Sequence, residues 1–299
     1  MDRLEAMSVL VAVVEAGSLS AASRRLAMPL ATVSRKLLEI EKHLKTRLLN
    51  RSSRRMTLTD AGQTYVAACK RILEQLDEAE REAAGESRAP KGQLTVTAPV
   101  VFGRQHALPV AIEFLRAYPE IDLRLVLSDQ LLNFLEERID LAIRIGILPS
   151  SSLVATRIGS TRHVLCGSPA YFSARGRPRR PEDLAAHDCI SFENLATPRG
   201  WTFKSGKAER AVQIRSRLAV TTAEAAIDAA RAGLGVTRVL SYMIEDAKRS
   251  GALAVALEAF EPTPWPVQVV HANQGPLPLK VRAFLDFAVP RLKTRLRPA

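Results

Sequence analysis

Ser18-Leu-Ser-Ala-Ala-Ser-Arg-Arg-Leu-Ala-Met-Pro-Leu-Ala-Thr-Val-Ser-Arg35 is the stretch on which the reading of this chain turns. Ser18 suits a helix N-cap, because its hydroxyl accepts from an amide of the first turn. The Ala-rich run Leu19 to Leu26 then reads as a short helix. Ala27-Met28-Pro29 breaks the pattern, and Pro29 suits the first turn of the next helix, where its missing N–H is not needed. In that helix Val33, Leu37, Ile40 and Leu44 recur at helical spacing and face a core. This turns Leu30, Ala31, Ser34 and Arg35 outward near its N-terminal end. Two short helices joined by a tight turn, the second presenting small, polar and basic residues, meet the requirements for entering a major groove. Arg35 suits bidentate bonding to guanine, and Leu30 or Ala31 suit contact with thymine methyls. An ordinary three-helix core shares much of this pattern.

The flanks extend it. Asp2 to Ala16 reads as a helix with Leu4, Met7, Leu10, Val11 and Val14 on one face, stopped at Gly17. After the second motif helix, Leu48–Arg51 and Met56–Leu58 are strand-like pieces around Ser52-Ser53-Arg54-Arg55, a hairpin wing with a basic tip suited to phosphates. Thr59 caps a long helix, about Asp60 to Glu86. Its residues Tyr65, Cys69, Ile72, Leu76, Ala79 and Ala83 alternate three and four apart, as in a coiled-coil seam. That spacing also suits a single helix packed on its own domain; a homodimer is preferred because two half-sites on DNA need two readers.

Charge follows the motif. The formal net charge is +12. Between Arg24 and Arg55 ten Lys/Arg face two acids, whereas residues 72 to 90 hold two basic residues and six acids. The dense positive patch is therefore local and N-terminal, and calls for a polyanion. At 299 residues, two or three domains are expected. No apolar run reaches the roughly 18 residues of a spanning helix. The apolar run Val9–Val14 is bracketed by Asp2, Glu5 and Glu15, which argues against a secretion signal. Cys69, Cys166 and Cys189 are odd in number and lack CxxC spacing, so a reducing, cytoplasmic setting is expected.

From Ser87 to Gly92 periodicity stops, and Pro90 and Gly92 mark a hinge. Strands then alternate with helices: strand Leu94–Ala98, helix Arg104–Tyr118, strand Leu123–Ser128, helix Gln130–Glu137, strand Leu141–Ile145. Later come a hairpin-like piece Trp201–Arg217, helix Thr222–Ala232, strand-like Leu234–Val239, strand Val267–Ala272 and a last helix Leu279–Leu296. Such alternation means βαβ units and a largely parallel sheet.

The run Ser18–Leu26, then Thr32-Val-Ser-Arg35, Leu38-Glu-Ile-Glu41, Asn50-Arg51, Arg54-Arg55 and Leu58-Thr-Asp-Ala-Gly62 resembles the LysR-type transcriptional regulators. Ala98-Pro-Val-Val-Phe-Gly-Arg104, Asp140-Leu-Ala-Ile-Arg-Ile-Gly146, Val164-Leu-Cys-Gly-Ser-Pro-Ala-Tyr171 and Lys280-Val-Arg-Ala-Phe-Leu-Asp-Phe287 resemble one large subgroup of that family. Many members have Ser-Gln where this chain has Pro29-Leu30, so readout at Leu30 shifts from polar to apolar. The resemblance implies an α plus α/β chain. It comprises a winged helix-turn-helix (1–59), a linker dimerisation helix (60–86), a hinge (87–92) and a two-lobed, periplasmic-binding-protein-like effector domain (93–299). Lobe I is 93–161 with 267–299, and lobe II is 162–266. The chain crosses between lobes near Gly159–Arg162 and returns near Pro262–Pro266. It also implies a homotetramer, control of transcription by RNA polymerase, and association with the nucleoid.

Within that frame, base contacts fall to Leu30, Ala31, Ser34 and Arg35, and phosphate contacts to Ser18, Ser20, Arg51, Arg54 and Arg55. A small-molecule effector lies between the lobes, near strand carboxyl ends and helix N-termini. Its candidate contacts are Pro99, Val100, Phe102, Ser128, Arg144, Gly146, Thr221, Thr222 and Arg238. Capping alone explains Thr221 or Thr222, and Arg144 also suits pairing with Asp140 or another acid. No cofactor, metal or catalysis is expected. His163-x-x-Cys166 and His187-x-Cys189 read as strand segments, Lys204-Ser-Gly206 lacks a Ser-x-x-Lys nucleophile, and Gly233-Leu-Gly235 is too short for a phosphate loop. Two other readings stand beside the regulator. One is a solute-binding protein, which the basic patch opposes; the other is an architectural DNA binder whose lobes serve only assembly.

Overall fold

The computed structural model describes residues 2–51, 56–83, 89–130, 134, 139–148, 153–192, 200–206, 208–272 and 277–296. Two compact units emerge, one built on Met1–Pro90 and one on Lys91–Leu132, Ile139–Gly275 and Lys280–Ala299.

In the first unit, α1 (Arg3–Ala16) begins at Asp2, whose carboxylate accepts from the amides of Leu4 and Glu5. It ends at Gly17 in the left-handed region, where a glycine pays no steric penalty. Ser18 caps α2 (Leu19–Arg25), with Oγ accepting from Ala21 N–H at 3.2 Å. The tight turn is held by Ser23, whose hydroxyl donates to the Met28 carbonyl at 2.6 Å. Pro29 is the N-cap of α3 (Leu30–Leu44), one residue ahead of its expected place inside the first turn.

Val33, Leu37 and Ile40 are fully buried, with Ala6, Val9, Leu10, Val13 and Ala22, in one apolar cluster. Of the expected stripe on α1, Leu10 is buried and Met7, Val11 and Val14 pack partly against the core, while Leu4 is 41% exposed and the face is centred on Ala6, Val9 and Val13 instead. This helix is apolar on nearly every side and packs against α2, α3 and a fourth helix. Periodicity alone had no polar face from which to orient it.

The strands β1 (Leu49–Arg51) and β2 (Met56–Leu58) pair antiparallel, Leu49 opposite Leu58 and Arg51 opposite Met56. Glu41 of α3 anchors this ribbon by accepting from the amides of Leu48 and Leu49. The helix α4 (Asp60–Ala83) is started by Thr59, whose hydroxyl oxygen accepts from Gly62 N–H at 2.9 Å and donates to the Arg47 carbonyl at 2.8 Å. Val66 and Cys69 complete the core, with Tyr65 packed against it. The first positions of the expected seam, Tyr65 and Cys69, thus belong to the unit's own interior, while Ile72 is 41% exposed.

The second unit holds two five-stranded sheets among the described residues. The first contains β3 (Gly92–Ala98), β4 (Ile121–Leu127), β5 (Leu141–Ile145), β6 (Leu153–Thr161) and, from the end of the chain, β14 (Trp265–Ala272), in the order β4-β3-β5-β14-β6. The second contains β7 (His163–Gly167), β8 (Cys189–Phe192), β11 (Ser216–Val220), β12 (Val236–Leu240) and β13 (Ala254–Ala256), in the order β11-β8-β12-β7-β13. A hairpin of β9 (Trp201–Ser205) and β10 (Ala208–Val212) packs its Trp201 and Phe203 on the second sheet's core.

Each sheet is mixed, with two parallel and two antiparallel pairings: four strands run one way, as a largely parallel sheet requires, and one, β14 or β7, runs against them. The departure arises where the chain passes between sheets: β6 runs out of the first into β7 of the second, and β14 brings it back. Helices cover the sheets. After β3, α5 (Val100–Phe102), a π-type turn Gly103–Ala107 and α6 (Leu108–Ala117) run on. The helical start at Val100 precedes the expected start at Arg104, because Pro99 presets the entry and Asp129 Oδ1 accepts from Val100 N–H at 3.1 Å. Phe114 of α6 meets Phe284 of α10 (Leu279–Arg295) edge-on at 5.0 Å. On the second sheet lie α7 (Pro169–Arg175), α8 (Ala223–Arg231) and α9 (Glu245–Arg249). The expected helix 130–137 falls almost wholly outside the described residues.

Gly233 and Gly235 find their reason here. Gly233 takes φ +82° just after α8, and a Cβ on Gly235 would lie 2.1 Å from the Asp188 carbonyl oxygen.

Candidate nucleic-acid interface and interlobe cleft

On α3, Leu30 (47% exposed), Ala31 and Arg35 face solvent and Ser34 is half-buried, opposite the sealed Val33–Leu37–Ile40 face. The helix therefore offers a small, apolar-plus-cationic surface at its N-terminal end. Ser18 and Ser20 are exposed beside it in sequence on α2, with Ser18 Oγ already serving the cap. Arg51 lies in β1; Arg54 and Arg55 fall outside the described residues. Several charged residues in and beside the motif serve the scaffold instead. Glu41 holds β1, Lys36 pairs with Glu5, and Glu15 joins Lys70 at 2.5 Å and Arg25 at 3.0 Å. Hydrogen bonding by Lys70 is the main cause that holds the Glu15 carboxyl below its ordinary value.

In the second unit, the carboxyl ends of β3 and β4 bring Pro99, Val100, Ser128 and Asp129 together. Ser128 N–H donates to the Ala98 carbonyl at 3.0 Å, and Ser128 Oγ accepts from Gln130 N–H, so this hydroxyl shapes the turn. Phe102 is fully buried and meets Tyr242 of the other lobe edge-on at 5.5 Å and His106 at 4.8 Å. Arg104 reaches Glu224, in the first turn of α8, at 3.6 Å. Thr222 caps α8 by accepting from Ala225 N–H at 3.3 Å, and Thr221 is exposed beside it. The Tyr242 hydroxyl and both ring nitrogens of His106 are buried without a hydrogen-bond partner. Burial raises the Asp129 carboxyl, with Glu224 adding to it.

At the strand crossings, Thr161 and Ser241 share a hydrogen bond of 3.2 Å and Arg162 pairs with Glu261 at 2.6 Å. Gly146 takes φ +114°, and its bare Cα lets Trp265 lie 3.3 Å from where a Cβ would stand; Trp265 in turn meets His163 edge-on at 4.3 Å. Arg144 is 7% exposed and forms no ion pair with Asp140, whose Oδ2 accepts from Thr95 N–H at 2.7 Å. Arg238 sits in the middle of β12 rather than at its end. Its guanidinium lies 5.8 Å from the Phe203 ring, and burial pulls it down to about 10.

The structure thus gathers Pro99, Val100, Phe102, Ser128, Thr221 and Thr222 around facing edges of two lobes, and sets Gly146 at the crossing. It adds Asp129, which accepts from Val100 N–H, and Tyr242, Glu224 and Trp265, which meet Phe102, Arg104 and His163; they carry no sequence signal because each partner lies far away in the chain. Burial pushes the Cys166 and Cys189 thiols up to about 12, as befits strand-core residues. Among the described residues no single helix is long and apolar enough to cross a membrane.

Comparison with known proteins agrees with this division. Residues 4–63 match the family model for the bacterial regulatory helix-turn-helix protein, lysR family, and residues 87–293 match that for the LysR substrate binding domain. The transcriptional regulator CrgA of Neisseria meningitidis serogroup B is 30% identical over 293 residues, spanning 98% of this chain and 98% of that protein. The solved structure of CrgA from Neisseria meningitidis gives a TM-score of 0.62 at 30% identity, over 96% of this chain and 98% of that one. The full-length structure of AphB, the Vibrio cholerae virulence activator, gives 0.61 at 28% identity, over 96% and 98%. An N-terminal helix-turn-helix followed by a two-lobed binding domain, matched over nearly the whole length by regulators rather than enzymes, makes this chain a member of the LysR family: a DNA-binding transcriptional regulator modulated by a small-molecule effector.

Proposed function

We propose that the protein binds an operator as a homodimer or homotetramer in the cytoplasm, associated with the nucleoid, and governs access of RNA polymerase. The observation that carries the DNA reading is the outward face of α3, with Leu30, Ala31 and Arg35 exposed over a sealed core. Leu30, Ala31, Ser34 and Arg35 read base edges, while Ser18, Ser20, Arg51, Arg54 and Arg55 hold phosphates. Residues 1–59 form the reader, and 60–86 the helix through which two copies associate, using the outward Ile72 and Ala79 rather than the buried Cys69. Residues 87–92 are the hinge and 93–299 the sensor. The effector binds between lobe I (93–161 and 267–299) and lobe II (162–266), touching Pro99, Val100, Ser128, Arg144, Gly146, Thr221 and Thr222. Phe102, buried, and Arg238, half-buried, frame it. The effector's unequal affinity for two assembly shapes shifts their populations.

Fluorescence anisotropy on the DNA upstream of the protein's own gene, titrated with salt against random DNA, tests this. Affinity tighter by about 10³ or more on the cognate fragment is expected. Equal, steeply salt-dependent binding to both would leave backbone contact alone and favour an architectural role.

A further inference from the structure

The first sheet of the sensor buries a polar face. Side chains alternate along a strand, so β3 and β5 place Leu94, Val96, Ala98, Leu141 and Ile143 on one side. Thr95, Thr97, Ala142 and Arg144 stand on the other. All four of the latter are at most 7% exposed. Thr97 lies beside Ala142 in parallel register, and Arg144 follows two residues later on that same face, next to Thr97's strand. Thr97 Oγ1 and Arg144 Nη2 are both buried with no hydrogen-bond partner. A guanidinium taken out of water without a counter-charge carries a heavy desolvation penalty. Both residues stand at carboxyl ends of strands that lead directly into cleft turns, Ala98 into Pro99 and Ile145 into Gly146.

We propose that the effector is a small organic acid, whose carboxylate is taken up by Arg144 and Thr97. This rests on the reading that a small molecule binds between the lobes. The planar fork of Arg144 matches a carboxylate with two parallel bonds, and the Thr97 hydroxyl supplies a further donor. One buried positive charge matches one negative charge. Asp129 and Glu224 at the cleft edges disfavour a second negative charge close by.

Thermal unfolding of the full-length protein with a fixed set of probes tests this: acetate, benzoate and succinate, their neutral amides, and simple primary amines. At least one carboxylate raises Tm by about 2–4 °C, the shift expected at a concentration roughly tenfold above its Kd, while its amide does not. The shift disappears in Arg144→Met and Thr97→Val, and binding weakens at least about tenfold in Arg144→Lys, which keeps the charge and loses the fork. Without probe, Arg144→Met melts at or above the wild type, because a costly buried charge has been removed. A carboxylate shift undiminished in Arg144→Met overturns the proposal, as does a probe-free Tm several degrees below wild type in that variant. A shift produced only by amides or amines overturns the organic-acid assignment and leaves the effector reading standing. No shift from any class overturns the organic-acid assignment.

Discussion

A methyl group on Gly62 would stand 2.0 Å from the carbonyl oxygen of Leu48. That oxygen already accepts from Thr59 N–H at 3.0 Å, so α4 begins pressed against the backbone that enters the wing. Gly62→Ala is expected to destabilise the N-terminal unit by about 1–3 kcal/mol, since backbone cannot yield as a flexible side chain does. Denaturant unfolding of wild type and variant checks it; an unchanged midpoint would show that α4 slides without cost.

Glu15 ties three helices, through Lys70 of α4 and Arg25 of α2. Its carboxyl is held below the ordinary value, chiefly by the hydrogen bond from Lys70. The folded pKa is therefore depressed. The stabilisation is complete above the unfolded carboxylate range and is lost as pH falls through the folded value. Glu15→Gln should lower the protection of α1 and α4 amides at neutral pH, with the gap closing in acid. Hydrogen exchange at two pH values decides; a gap independent of pH would assign the loss to packing.

Arg35→Ala is expected to cost about 1–3 kcal/mol on the operator and to relax base preference at one position. Arg54→Ala should weaken all sequences alike and flatten the salt dependence. Binding isotherms on operator and random DNA separate the two, and an equal loss for Arg35→Ala on both would reduce it to a phosphate contact.

Cys166 and Cys189 have thiols pushed up to about 12 by burial, and burial also raises Cys69. The thiolate is the reactive form. Iodoacetamide should leave all three cysteines unmodified in the native protein at neutral pH and label three after unfolding, read by intact mass. Rapid native labelling would reveal local opening around β7, β8 or α4.

The sequence by itself determined the order of parts and the outward face of α3. Helical spacing of Val33, Leu37 and Ile40 and the breaker Pro29 are local properties, and capping by Ser18 and Thr59 acts within one turn. Where every side is apolar, as in α1, spacing had no contrast to read, and only the packing of neighbouring helices chose Ala6, Val9 and Val13 for the core. Tertiary structure alone also decided the roles of the chemically capable residues. Glu41 became a strand anchor and Ser128 a turn cap, while Arg238 moved to the interior of β12. It alone set Phe102 against Tyr242 and left Arg144 Nη2 and Thr97 Oγ1 buried without a hydrogen-bond partner. Which groups end up satisfied depends on residues far away in the chain, and hydrogen bonds and buried charges are settled by those distant neighbours rather than by sequence spacing.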